Sequence, residues 1–345
     1  MNENYRQYML AQLKELLSTT SMIGYYERIT EYLLGELRDL GYSPRTLNNG
    51  GIVVEAGGLG NPIVIAAHAD EIGLVVRYIR DDGKLACFGQ PGVFGPYVNC
   101  TNVRIITRND KVYTGILHKI EASLHVADSD NILVSPELHK NMVVSIDEKV
   151  ACKADVLALG IRTGDIVSVE PNTVFTDSGF IKSRYLDNNA AVAILLTYLK
   201  FLKDENMTPG RKVYAFFTMY EERGLGARCG IPDDAVELMS IDVGCVSAVT
   251  ESKEDKVFIG VWDSRMPYNR EIVTKLAETA EKHGIDYALD VFWPGYGSDG
   301  IAALEAGYDV KCSLIGPGVL GTHTYERTHI DALVNTYKLL KAYLT

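Results

Sequence analysis

Residues 62–73 read PIVIAAHADEIG. Six apolar residues stand in a row over 62–67, with no polar residue alternating between them. A strand that buries one face alternates apolar with polar, whereas a strand buried on both faces does not. Such a strand needs covering layers above and below it, which points to a parallel sheet packed between helices.

The rest of the chain supplies those layers in two blocks. Residues 4–18 and 27–41 read as helices; in the second, Ile29, Leu33, Leu37 and Leu40 recur at helical spacing. Asn49-Gly50-Gly51 is a turn signal ahead of a strand at 52–55. From about residue 72 to 178 the character changes. Short β-type runs (LVVRYI, NVRIIT, KVYTGIL, DIVSVE) are broken by Gly, Asn and Asp, and helical spacing is weak outside 154–159. That stretch reads as a small barrel-like β domain. Helix–strand alternation then returns. Helices are expected at 188–203, 270–282, 298–306 and 330–343, and strands at 212–219, 239–243 and 310–315. The expected fold is an α/β domain made of residues 1–71 and 179–345, interrupted by a β-rich domain at 72–178. A length of 345 residues suits two domains.

Composition excludes several function classes. A net charge of -11 argues against nucleic acid as a general partner, because phosphate binding needs a basic surface. Hydrophobic residues at 47% and charged residues at 23% describe an ordinary soluble chain, and no run of 18 apolar residues suggests a membrane span. The opening MNENYRQYMLAQLKELL lacks a basic region followed by an apolar core, so no secretory signal is expected and the expected location is cytoplasmic. Cys87, Cys100, Cys152, Cys229, Cys245 and Cys312 are scattered without a CxxC pair, as reduced thiols would be. Cys245, three residues from Asp242, is expected near any site built there.

Six side chains stand at or near strand ends or helix starts: His68, Asp187, Glu221, Glu222, Asp242 and His323. Each has an ordinary reading beside the chemical one. His68 closes the buried strand and could bind a metal, with Asp70 two residues on fixing its tautomer; it could also be a surface His beside a turn. Asp187 could bridge two metals or simply cap the apolar helix after it. Glu221-Glu222 is either an exposed acidic turn or a pair of carboxylates whose repulsion a cation relieves. Asp242 ends an apolar strand. In GTHTYERTH, one of His323 and His329 could be a ligand and the other a helix-start residue. Together, two His and three carboxylates with a fourth carboxylate left over suit metal-assisted hydrolysis. No aromatic sugar platform and no separate carboxylate pair support a glycosidase.

Order and type of these motifs resemble the M42 family of metallo-aminopeptidases, within the wider clan of co-catalytic zinc exopeptidases. The resemblance runs through HADEIG, GIRTGD, LDNN, EERGLGA, SIDVG, GSDG and the last His segment. It implies a zinc-exopeptidase-like α/β/α sandwich with an inserted β-barrel-like domain. It implies two divalent cations per subunit, zinc first and cobalt or manganese as alternatives. One would be held by His68, Asp187 and Asp242, the other by Asp187, Glu222 and His323, with Asp187 bridging. Glu221 would be the general base, and Asp70 would orient His68. Short peptides are the implied substrates and a homo-oligomer built from dimers, up to a dodecamer, the implied assembly. Asn189, Arg223 and Gly321-Thr322-His323 depart from the usual family residues without removing a ligand. The segments DVFWPGYGSDGIAALEAG and HTYERTHIDAL are similar to a branch linked to an acetylated dipeptide osmolyte. A deacylase or dipeptidase acting on a small N-acylated metabolite is therefore the alternative reading, and an inactive homologue acting as a binding protein the minor one.

Overall fold

The computed structural model describes residues 1–90 and 92–345. They divide into two units, Met1–Glu71 with Asn172–Thr345, and Ile72–Pro171.

In the first unit the centre is four parallel strands in the order Val213–Thr218, Ile63–His68, Glu237–Ile241 and Lys311–Leu320. The unalternating run is the strand Ile63–His68, and every one of its residues is buried, as are those of Val213–Thr218 and Glu237–Ile241. Further strands, most of them paired antiparallel, extend this into a twelve-stranded sheet among the described residues. Helices complete an α/β/α sandwich. Leu186–Asp204 is buried along nearly its whole length and packs against Glu3–Ser18, Ile330–Leu344 and the strand Ile63–His68. Glu3–Ser18 buries Met9, Leu13, Leu16 and Leu17, a stripe at helical spacing, and Asn2 caps it by accepting the Asn4 N–H. Asp299–Glu305 packs on Glu237–Ile241 and Lys311–Leu320. Among the described residues no helix is long and apolar enough to cross a membrane.

Two boundaries differ from the sequence expectation. The strand expected at 310–315 runs on as Lys311–Leu320. Gly316-Pro317-Gly318, beyond the expected end, is strand as well. A Cβ on Gly316 would lie 1.5 Å from the carbonyl oxygen of Asp242, and one on Gly318 would lie 2.0 Å from that of Lys253. These glycines serve close backbone approach rather than a turn, and the first brings Asp242 against the strand. The second unit also ends at Pro171 rather than near residue 178. The cause is Val174–Phe175, which pairs with Phe180–Ser183, itself paired with Glu326–His329 in the large sheet.

The second unit is a closed barrel, six-stranded among the described residues. The order is Leu74–Ile79, Leu85–Gly89, Met142–Ile146, Val112–Lys119, Thr101–Ile106 and Ile166–Val169. Leu74, Leu85, Val103, Ile105, Val144 and Val167 fill its interior. The short helix expected at 154–159 is Lys153–Ala158.

Candidate metal centre

The carboxyl ends of the four central strands carry five of the six side chains, where open α/β sheets place their sites. His68 is the last residue of its strand, and Asp242 follows Ile241 directly. Glu221 and Glu222 lie just beyond Thr218, and His323 just beyond Leu320. Asp187 enters from the head of Leu186–Asp204. It is not a regular cap there, because Asp187 (φ -77°, ψ 102°) and Asn188 (φ -123°, ψ 28°) both leave helical geometry. Three non-glycine residues with left-handed backbone sit at these junctions: Tyr185 (φ 68°), Tyr220 (φ 68°) and His323 (φ 64°). Such conformations cost about 1–3 kcal/mol each and persist where surrounding structure enforces them.

Asp187 is the hinge of the cluster. Its Oδ1 lies 3.1 Å from His68 Nε2, and its Oδ2 lies 3.4 Å from His323 Nε2. His323 Nε2 is also 3.0 Å from Glu222 Oε2, and His68 Nε2 is 3.9 Å from Asp242 Oδ1. Two groups thus converge, His68 with Asp187 and Asp242, and Asp187 with Glu222 and His323. Glu221 belongs to neither, although its Oε2 is 3.8 Å from His68 Nε2.

The electrostatics are those of a site short of positive charge. Burial, then Asp242, Asp299 and Glu222, hold the Glu221 carboxyl well above its ordinary range against the pull of His68. Burial and Asp187 do the same to Asp242. For the histidines burial alone would lower the pKa. Instead the Asp187 hydrogen bond and the nearby Glu221 and Asp242 hold His68 well above its usual value, and Glu222 and Asp187 push His323 up to about 12. A further sign is Glu222 Oε1, buried without a hydrogen-bond partner. One unpaired buried oxygen and crowded carboxylates facing imidazole nitrogens fit a divalent cation in each group, with imidazole and carboxylate the donors zinc, cobalt and manganese accept.

Supporting residues lie behind this layer. His68 Nδ1 meets the backbone oxygen of Asp70 at 3.0 Å, while the Asp70 carboxylate is 3.8 Å away. Of the Asp70 oxygens it is the backbone carbonyl, not the side chain the sequence suggested, that lies within hydrogen-bond reach of His68. Its carboxylate instead accepts the N–H groups of Glu221 (3.1 Å) and Glu222 (3.3 Å), and burial pushes it up to about 7. Two carboxylates escaped the sequence reading. Asp299, in the GSDG motif, accepts the Thr218 hydroxyl (2.6 Å) and the Ala227 N–H (2.7 Å), clasping both ends of the loop that carries Glu221 and Glu222. Glu326, only 1% exposed, accepts the N–H of Asp187 (3.1 Å) and that of His323 (2.9 Å). An acid inside a short β run, Glu326–His329, was the available signal.

Glu326→Ala leaves one buried and one half-buried N–H group without an acceptor, at about 1–3 kcal/mol for the buried one and less for the other. Loss of a residue that orients ligands also typically weakens metal binding about 10–100-fold. Both effects are expected, read as a lower Tm and as chelator-competition affinity. A lower Tm with unchanged metal affinity would reduce Glu326 to a folding role.

The remaining sequence candidates fall as follows. His329 caps Ile330–Leu344 by accepting the Asp331 N–H (3.2 Å), so of the two histidines His323 is the one in the cluster. Cys245 lines the same cleft, with its thiol pushed up to about 11 by burial. His118, His125 and His139 belong to the barrel unit, outside both groups. The cleft has a volume of about 690 Å³, and Arg265, Tyr296 and Ser298 also line it. Tyr296 is fixed there by donating its hydroxyl to the Val243 carbonyl (2.8 Å).

Known proteins share this arrangement of chain. The family model described as M42 glutamyl aminopeptidase matches residues 50–339. YhfE of Bacillus subtilis (strain 168) is 34% identical over 339 residues, covering 96% of each chain. The lysyl aminopeptidase of Pyrococcus furiosus is 22% identical over 246 residues, 70% of this chain and 66% of that protein. Among solved structures, PhTET1-12s, described as a dodecamer in the asymmetric unit, superposes with a TM-score of 0.84 at 25% identity, covering 97% of this chain and 98% of that one. With the sandwich and inserted barrel, these matches establish that the chain belongs to the M42 family of aminopeptidases, which are hydrolases.

Proposed function

We propose that this protein removes N-terminal residues from short peptides, using two divalent cations and a glutamate base. The observation that carries the reading is Asp187, whose two oxygens face two histidines belonging to two separate ligand groups. In it, His68, Asp187 and Asp242 hold one cation and Asp187, Glu222 and His323 the other. Bound there, the cations would polarise the scissile carbonyl and acidify the attacking water.

The chain's own residues do the rest. Glu221 stands beside both groups without joining either, so its carboxylate is available to take a proton from the attacking water. It then returns that proton to the leaving amine. Asp70 and Asp299 fix the Glu221-Glu222 loop, which keeps base and ligand in register. We further infer a homo-oligomer, a dodecamer built from dimers. Phe94, Tyr97, Leu124, Val126 and Leu133 are all exposed on the barrel unit, where association would cover them.

The test is metal content per subunit together with hydrolysis of free-amine and N-acetylated short peptides. Exhaustive chelation is expected to abolish cleavage of free-amine peptides, and zinc, cobalt or manganese to restore it as two equivalents bind. Cleavage confined to N-acetylated substrates would replace the aminopeptidase reading with a deacylase. Absence of metal uptake and turnover would leave a binding protein.

A further inference from the structure

Arg265 lines the cleft beside the candidate centre, and about half of its side chain is exposed. Its Nη1 donates to Glu305, and Arg228 donates to the same carboxylate. Two guanidiniums against one carboxylate leave a surplus positive charge. The planar guanidinium also has more N–H donors than Glu305 engages. The backbone beneath is built to hold it. Asp263, fully buried, accepts the Arg265 N–H (2.8 Å), the Met266 N–H (3.2 Å) and the Tyr268 hydroxyl (2.8 Å). Ser264 Oγ accepts the Tyr296 N–H (2.6 Å), tying this turn to the loop that forms more of the cleft. The other charged residues lining the cleft are Asp187, Glu221, Glu222, Asp242 and His323. Two divalent cations would balance the four carboxylates, so the sign of the remaining cleft is set by Arg265.

We propose that Arg265, anchored by Glu305, is a specificity-determining residue that binds a carboxylate of the peptide substrate. The assignment rests on the aminopeptidase reading and names its substrate class. Family membership does not supply it, because relatives are named for glutamyl and for lysyl substrates alike. The carboxylate has two possible sources in a short peptide, an acidic N-terminal side chain or the free C-terminus. Arginine suits either, since its fork binds a carboxylate in two parallel hydrogen bonds.

Four substrates separate the sources: Ala-Ala-amide as the neutral reference, Glu-Ala-amide, Ala-Ala with a free carboxylate, and Lys-Ala-amide. Values of kcat/KM are measured on the metal-loaded protein. The wild type is expected to favour Glu-Ala-amide or free Ala-Ala over the reference by about 10–100-fold, the range of a charge-assisted contact. Whichever is favoured identifies the source. Arg265→Met should bring that ratio close to one, mainly through KM. Arg265→Glu should shift preference toward Lys-Ala-amide, a gain that damage to the fold could not produce. A wild type that treats the four alike, or an Arg265→Met variant that keeps the preference, would overturn the assignment while leaving the aminopeptidase reading intact. A metal-loaded wild type that cleaves none of the four overturns both.

Discussion

Glu221→Gln is expected to lower kcat by about 10²–10⁴-fold while metal content stays at the wild-type level. The substitution keeps the size and shape of the side chain and removes its capacity to carry the proton. Glu221 is adjacent to Glu222, yet the two sit differently. Glu222 Oε2 is 3.0 Å from His323 Nε2 and belongs to a ligand group, whereas Glu221 is absent from both groups. The N–H of Glu221 stays bound to Asp70 in the variant, so the loop should not move. The measurement is kcat with metal analysis on the same sample. Loss of metal along with activity would make Glu221 a ligand. Retention of full activity would give the proton transfer to another group, and Glu221 would no longer be the base.

What the sequence made legible follows from what periodicity and punctuation record. The run at 62–67 announced a strand buried on both faces because burial there is uniform, and the structure buries every residue of Ile63–His68. The barrel was visible as short β runs between turn residues. The helix expected at 270–282 is Arg270–His283, one residue longer, and Gly284 in left-handed backbone closes it. Glycines serving close approach were not readable, because Gly316 looks like punctuation until the Asp242 carbonyl is seen beside it.

For the site, residue types at strand ends brought the six side chains to notice, and the structure brings all six together. Their hydrogen-bond environment was less accessible. Asp70 was placed near His68, but which of its oxygens makes the contact depends on the backbone path after the strand and not on spacing. Glu326 is far from Asp187 in sequence, and its role exists only because Glu326–His329 pairs with Phe180–Ser183, the strand that leads into Asp187. An acid in a short β run could mark Glu326, but its contact with Asp187 has no local signature. Arg265 was equally invisible, since its charge matters only through Glu305 and Arg228, each from a different segment.

Asp187→Asn should weaken binding of both cations at once, each by more than about 100-fold. That bound follows because removing even a residue that orients a ligand costs about 10–100-fold. The amide keeps one oxygen and replaces the other with an NH₂ group, which has no lone pair to offer a cation. Whichever way it is oriented, it sets a donor against either His68 or His323, each of which now faces a carboxylate oxygen. Asp187 also supplies the only residue common to the two groups. Asp242→Asn removes a carboxylate of the first group alone and should therefore weaken one cation and spare the other. A chelator-competition titration of the two variants separates these patterns, with circular dichroism confirming that both remain folded. If Asp187→Asn loses a single equivalent and holds the second at wild-type affinity, Asp187 does not bridge. The two groups would then be independent, and a paired-cation activation of the water that Glu221 serves would no longer stand.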